Sequence, residues 1–82
     1  MSHEVVIYTG PGCPYCSAAK RLHQEKGVSF REKDAGGDAA VREEMIRRTG
    51  RRSIPQIFIG ERHVGGFDDL RELASAGELD RL

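Results

Sequence analysis

The chain reads as an α/β fold with its elements in the order β-α-β-α-β-β-α, and three stretches of its 82 residues predict that order. A β-branched run, Val5-Val6-Ile7-Tyr8-Thr9, passes through a glycine break into a helical apolar pattern, which is how a parallel β-α-β unit begins. Further along, Ile57-Phe58-Ile59 and Arg62-His63-Val64 flank Gly60-Glu61, the spacing of a tight antiparallel hairpin. A last apolar helix pattern, Leu70, Leu73 and Ala74, closes the chain.

The first strand is apolar throughout except at its end, as expected of a strand covered on both faces. Gly10-Pro11-Gly12 breaks it. From Pro14 onward, Tyr15, Ala18, Ala19 and Leu22 recur at i, i+3, i+4 and i+7, so one helix face is expected to pack on the strand until Gly27 ends it. Val28 to Glu32 alternates as a shorter, half-exposed strand. Asp34-Ala35-Gly36-Gly37-Asp38 is a polar turn, with Asp38 placed to cap a second helix that carries Val41, Met45 and Ile46 and stops at Gly50. In the last helix, Asp69 and Glu72 have the spacing of a capping box. No repeat, low-complexity segment or long linker intervenes, so residues 1–82 are expected to form one domain.

Thirteen basic and thirteen acidic residues cancel, which leaves no excess charge to hold nucleic acid or an anionic membrane. No apolar run approaches the roughly 20 residues that span a bilayer, and MSHEVVIYTG lacks a basic segment followed by an apolar one; a cytoplasmic setting is expected. A small neutral domain without an apolar surface stripe is expected to be a monomer. In a reducing compartment, two cysteines spaced C-x-x-C point to metal binding or catalysis rather than to a permanent crosslink. A closed loop of about four residues would also remove little entropy from the unfolded chain. A structural zinc needs four ligands, and His3, His23 and His63 stand at no zinc-like spacing from the cysteines. His23 reads as a polar helix position and His63 as a strand residue.

A redox pair is the remaining reading, and the positions of Cys13 and Cys16 give it an asymmetry. Pro14 suits the first helical position, so Cys13 falls at the helix start, where unpaired N–H groups and the macrodipole favour a thiolate by up to about 2 kcal/mol. Further activation needs hydrogen bonds from the Tyr15 and Cys16 amides, or from the Cys16 thiol, or a nearby cation. Cys16 lies one turn on, turned toward the helix body. Cys13 is therefore expected to attack and Cys16 to resolve.

Cys13-Pro14-Tyr15-Cys16 after a strand, Ser53-Ile54-Pro55 before a hairpin, and Gly65-Gly66-Phe67-Asp68-Asp69 opening the last helix together resemble a dithiol glutaredoxin of the small bacterial type. The likeness spans essentially the whole chain and implies a thioredoxin fold, a four-stranded mixed sheet flanked by helices. Sequence alone would leave Ile54-Pro55 trans; the resemblance implies a cis bond beside the active cysteine. It also implies that the Ile54 backbone pairs with the cysteinyl part of glutathione, with Pro55 beside it. Gly66 would allow close approach, and the Phe67 and Asp68 amides would hold the γ-glutamyl carboxylate. The Asp68 side chain would meet the ammonium, and Tyr15 would wall the reactive sulfur. Arg42 takes a position where relatives direct Arg or Gln at the glycyl carboxylate, with Arg51 and Arg52 as further candidates. Gly10 departs from the pattern, because many relatives carry a lysine there. Gly10→Lys is accordingly expected to lower the Cys13 pKa and the KM for glutathionylated substrate.

The implied activity is glutathione-dependent thiol–disulfide exchange on protein disulfides and glutathione mixed disulfides, with glutathione as reductant and no permanently bound cofactor. Disulfide-containing or glutathionylated proteins are the implied partners, ribonucleotide reductase being one candidate. Two alternatives come from other classes. An iron–sulfur carrier would share a cluster between two chains, but such proteins usually carry C-G-F-S, which Pro14 and Cys16 do not match. A thioredoxin-like protein reduced by a flavoenzyme would not need Gly65-Gly66-Phe67-Asp68.

Overall fold

The computed structural model describes residues 4–79; His3 lies outside them. The elements are β1 (Val5–Thr9), α1 (Pro14–Glu25), β2 (Arg31–Asp34), α2 (Ala39–Thr49), β3 (Gln56–Ile59), β4 (Arg62–Gly65) and α3 (Phe67–Ser75). The sheet order is β2-β1-β3-β4. β1 pairs parallel with β2 and antiparallel with β3, which pairs antiparallel with β4. This is the mixed four-stranded sheet of the thioredoxin fold.

Alternation along β1 divides the core in two. Val5 and Ile7 join Ala19 of α1, Ile57 of β3 and Leu70, Leu73 and Ala74 of α3 in one apolar cluster. Val6 and Tyr8 face the other way, with Met45 of α2 and Phe58 of β3. Tyr8 is fully buried there. Its hydroxyl donates to Glu44 and accepts from Arg48 Nη1 at 2.9 Å, while Lys33 Nζ donates to Glu44 at 2.8 Å. Burial, and then the bond to Glu44, push the phenol pKa up, so the hydroxyl keeps the proton it donates.

Asp38 caps α2 as expected, accepting from the Ala40 and Val41 amides at 2.9 and 3.3 Å, and Gly50 closes it at φ 71°. Three expectations need correction. β2 starts at Arg31, because Val28 and Phe30 pack beneath α1 and α3 instead of extending the sheet. The buried stripe of α1 is Cys16, Ala19 and His23, while Tyr15 is 63% exposed. His23 is thus a core residue: its Nδ1–H donates to the Ala19 carbonyl at 2.9 Å, and its Nε2 has no partner among the described residues. The third concerns α3, whose cap is Gly66; Asp69 sits at the third helical position and accepts from the Gly66 amide at 3.1 Å, leaving Glu72 no part in the cap.

Candidate active site

The β1–α1 connection puts Cys13 at the N-cap of α1 with Pro14 following. The cysteines are joined as a disulfide with Cα atoms 5.2 Å apart, inside the usual range of about 4.4–6.8 Å. The Cys16 amide donates to Cys13 Sγ at 3.2 Å, which supplies one of the two expected helix-start bonds. The sulfurs differ in access. Cys13 is half-buried and Cys16 is 2% exposed.

Opposite the helix tip, the bond between Ile54 and Pro55 is cis. The Ile54 carbonyl oxygen lies 3.9 Å from Cys13 Sγ. Behind this loop, Gln56 is buried, and its amide nitrogen donates to the Ser53 carbonyl at 3.1 Å and to Ser53 Oγ at 3.2 Å. His63 Nε2–H donates to Gln56 Oε1 at 2.7 Å, and the His63 ring stacks on Phe58 at 4.9 Å. Sequence reading missed this support, although a polar Gln56 inside the apolar β3 run was a visible signal.

Tyr15, Ile54, Pro55, Gly66, Phe67 and Asp68 line one groove of about 230 Å³ together with Ser53. Tyr15 and Phe67 form its aromatic side, with ring centroids 6.1 Å apart. Because Gly66 brings no side-chain oxygen to the cap, α3 starts at the edge of the groove with no side-chain cap hydrogen bond. The demand for glycine falls on Gly65 rather than Gly66: at φ 121°, a β-carbon there would strike the Asp69 carboxylate. Asp68 also meets Arg71 Nη2 at 3.7 Å, a neighbour the sequence reading did not single out.

The glutaredoxin family profile matches residues 5–64. The chain is 56% identical over 78 residues to glutaredoxin 3 of Escherichia coli K12, spanning 95% of this chain and 94% of that protein. The chain belongs to the glutaredoxin family. Among solved structures, the fold is similar to glutaredoxin from Brucella melitensis, 54% identical, with a TM-score of 0.82 over 96% of this chain and 86% of that one. It is also similar to a buckwheat glutaredoxin–glutathione complex, 29% identical, with a TM-score of 0.83 over 94% of this chain and 73% of that one. As a glutaredoxin carrying a paired C-x-x-C, the protein is a glutathione-dependent thiol–disulfide oxidoreductase.

The candidate cations lie away from the groove. Arg42, Arg51 and Arg52 are all exposed and none lines the groove. Arg42 stays on the solvated side of α2. Lys20 lines a separate open cleft of about 620 Å³ that reaches both cysteines. It is already paired with Glu32 at 3.1 Å. The Thr9 hydroxyl, and then Lys20, hold the Glu32 carboxyl below its usual pKa. The lower KM expected of Gly10→Lys needs correction: the added charge comes with a β-carbon that would start against Ile54 and the Gly36 backbone, which opposes any gain in affinity. Among the described residues, no group of three or more His, Cys, Asp or Glu gathers at metal-binding distance.

Proposed function

We propose that Cys13 is the attacking thiolate and Cys16 the resolving thiol in the reduction of protein disulfides and glutathione mixed disulfides. The unequal access of the two sulfurs supports this division: the half-buried one faces the Ile54 loop, and the other is shielded within α1. Cys13 thiolate attacks the glutathionyl sulfur of a mixed disulfide, forms a Cys13–glutathione disulfide and expels the protein thiolate. A second glutathione thiolate then takes the glutathionyl sulfur, releasing oxidised glutathione and Cys13 thiolate. With a protein disulfide, Cys13 thiolate attacks one protein sulfur and expels the other as a thiolate; Cys16 thiolate then attacks Cys13 Sγ, frees the second protein thiolate and leaves the Cys13–Cys16 disulfide for two glutathiones to reduce.

In this reading glutathione lies in the 230 Å³ groove. Its cysteinyl backbone pairs with Ile54 beside Pro55, and its γ-glutamyl carboxylate sits on the Phe67 and Asp68 amides past Gly66. Asp68 receives the ammonium, with Tyr15 and Phe67 as walls. The proposed setting is the cytoplasm, with one domain acting as a monomer on disulfide-bonded or glutathionylated proteins.

Parallel assays on a glutathionylated peptide and on a protein disulfide test the division. Cys13→Ser is expected to abolish both activities, while Cys16→Ser keeps deglutathionylation and loses protein-disulfide reduction. Equal loss of both in both variants would overturn the assignment.

A further inference from the structure

Position 10 is packed shut. A β-carbon on Gly10 would lie 2.6 Å from Ile54 Cδ1, 3.1 Å from Gly36 Cα and 3.4 Å from Gly36 N. Carbon atoms in favourable contact stand about 3.5–4.0 Å apart. Gly36 has little room to retreat, because its amide donates to the Thr9 carbonyl at 3.0 Å beside the Ala35 amide at 2.8 Å. A β-carbon on Gly36 would itself fall 2.7 Å from Gly10 Cα and 2.8 Å from Pro11 Cδ. The two loops thus meet backbone to backbone. The Ile54 side chain is the neighbour that can give way.

Ile54 stands between two environments. It packs against the α2-side cluster of Val6, Tyr8, Met45 and Phe58, and it lines the groove beside Cys13. We infer that Gly10 is a positioning residue: the space left by its missing side chain seats the Ile54 δ-methyl, keeps it out of the groove and sets the room that glutathione finds there. Positions 10 and 54 form one coupled pair, so a side chain at 10 requires a shorter one at 54. This inference rests on the proposed reading of Ile54 as a glutathione contact.

A side chain at position 10 drives Cδ1 either into the filled α2-side cluster or into the groove. Overpacking of this kind is worth about tenfold or more in an equilibrium. Gly10→Ala is therefore expected to raise KM for a glutathionylated peptide about tenfold with kcat little changed. In the Ile54→Val background, which lacks Cδ1 but keeps the 3.1 Å approach to Gly36 Cα, the same substitution is expected to raise KM clearly less, by about threefold or under. An equal rise in both backgrounds, or no rise in either, would overturn the pairing. In the unaltered protein, a nuclear Overhauser contact between the Gly10 α-protons and the Ile54 δ-methyl is expected, and its absence would overturn the inference even if the variants fail to fold. Titration with S-methylglutathione, an unreactive thioether, separates the two levels. If the Ile54 and Phe67 amide resonances do not shift, the groove assignment fails; if they shift and KM is indifferent to Gly10→Ala, the positioning role alone fails.

Discussion

The two faces of the sheet are held by different physics. On one face, α1 and α3 close over Val5, Ile7 and Ile57 in an apolar cluster, with His23 of α1 buried beside it. On the other, α2 covers a smaller cluster bordered by a connected polar network of Tyr8, Glu44, Lys33 and Arg48. The Arg48 guanidinium lies 3.9 Å over the Phe58 ring, and Phe58 stacks in turn on His63. The apolar face anchors both helix starts that point at the active site, Cys13 on α1 and Gly66 on α3. The network face supports the loop across from them, through His63, Gln56 and Ser53. Non-directional burial fixes where the helices lie; directional bonds fix how the ligand loop is turned.

The largest effect should come from the apolar face. Leu70 is fully buried between α3 and the sheet, and Leu70→Ala is expected to lower stability by about 3 kcal/mol through lost transfer energy and a residual cavity. The urea midpoint of the reduced protein measures this. A cost under about 1 kcal/mol would show that the face collapses around the deletion and is less tightly packed than its burial implies.

Tyr8→Phe tests the other face at a smaller scale. The ring stays and the hydroxyl goes, so Glu44 keeps Lys33 and Arg48 keeps its stacking on Phe58. Both charged partners are partly solvated, and the expected loss is about 1 kcal/mol, the net value of a typical hydrogen bond. A loss equal to that of Leu70→Ala would erase the contrast and make the hydroxyl the keystone of that face.

Sequence reached the two faces unequally, for the same reason. β1, the hairpin, the Asp38 cap and the end of α2 at Gly50 each leave a local mark, either a period or a residue type that a turn demands. The polar network leaves none: Tyr8 meets Glu44 and Arg48 from 36 and 40 positions away in the chain. From sequence His23 is only a polar helix position, because a histidine in a helical stripe looks the same whether its ring is buried or wet. In the site, the order and asymmetry of the cysteines were legible from Pro14 and the i, i+3 spacing. The cis bond was not; it came from the family resemblance alone. Nor could sequence show why position 10 is empty, since that depends on Ile54 and Gly36 converging from two other loops.

The smallest effect is confined to acid, and it asks whether the apolar face has a titratable weak point. Burial pushes the His23 pKa below its ordinary value. The unfolded chain then binds a proton near pH 6.5 that the fold rejects, so stability is intact above that pH and falls as pH drops toward the folded value. His63 acts in the same window and the same direction, chiefly through burial and then the Arg51 charge. Glu32 and Glu44 belong to a lower window. Thr9 and Lys20 hold the first below the carboxylate range, and Lys33 and Tyr8 hold the second, so their stabilisation persists above about pH 4.3 and is lost below it. His23→Leu removes one of the two upper-window contributions found among the described residues, each limited to about 1.4 kcal/mol per pH unit. Urea midpoints at pH 8, 6.5 and 5 should show a shallower decline between the last two, with the His63 share remaining. An unchanged slope would mean that the imidazole takes up its proton as readily folded as unfolded. Water would then reach Nε2, and the apolar face would open at His23.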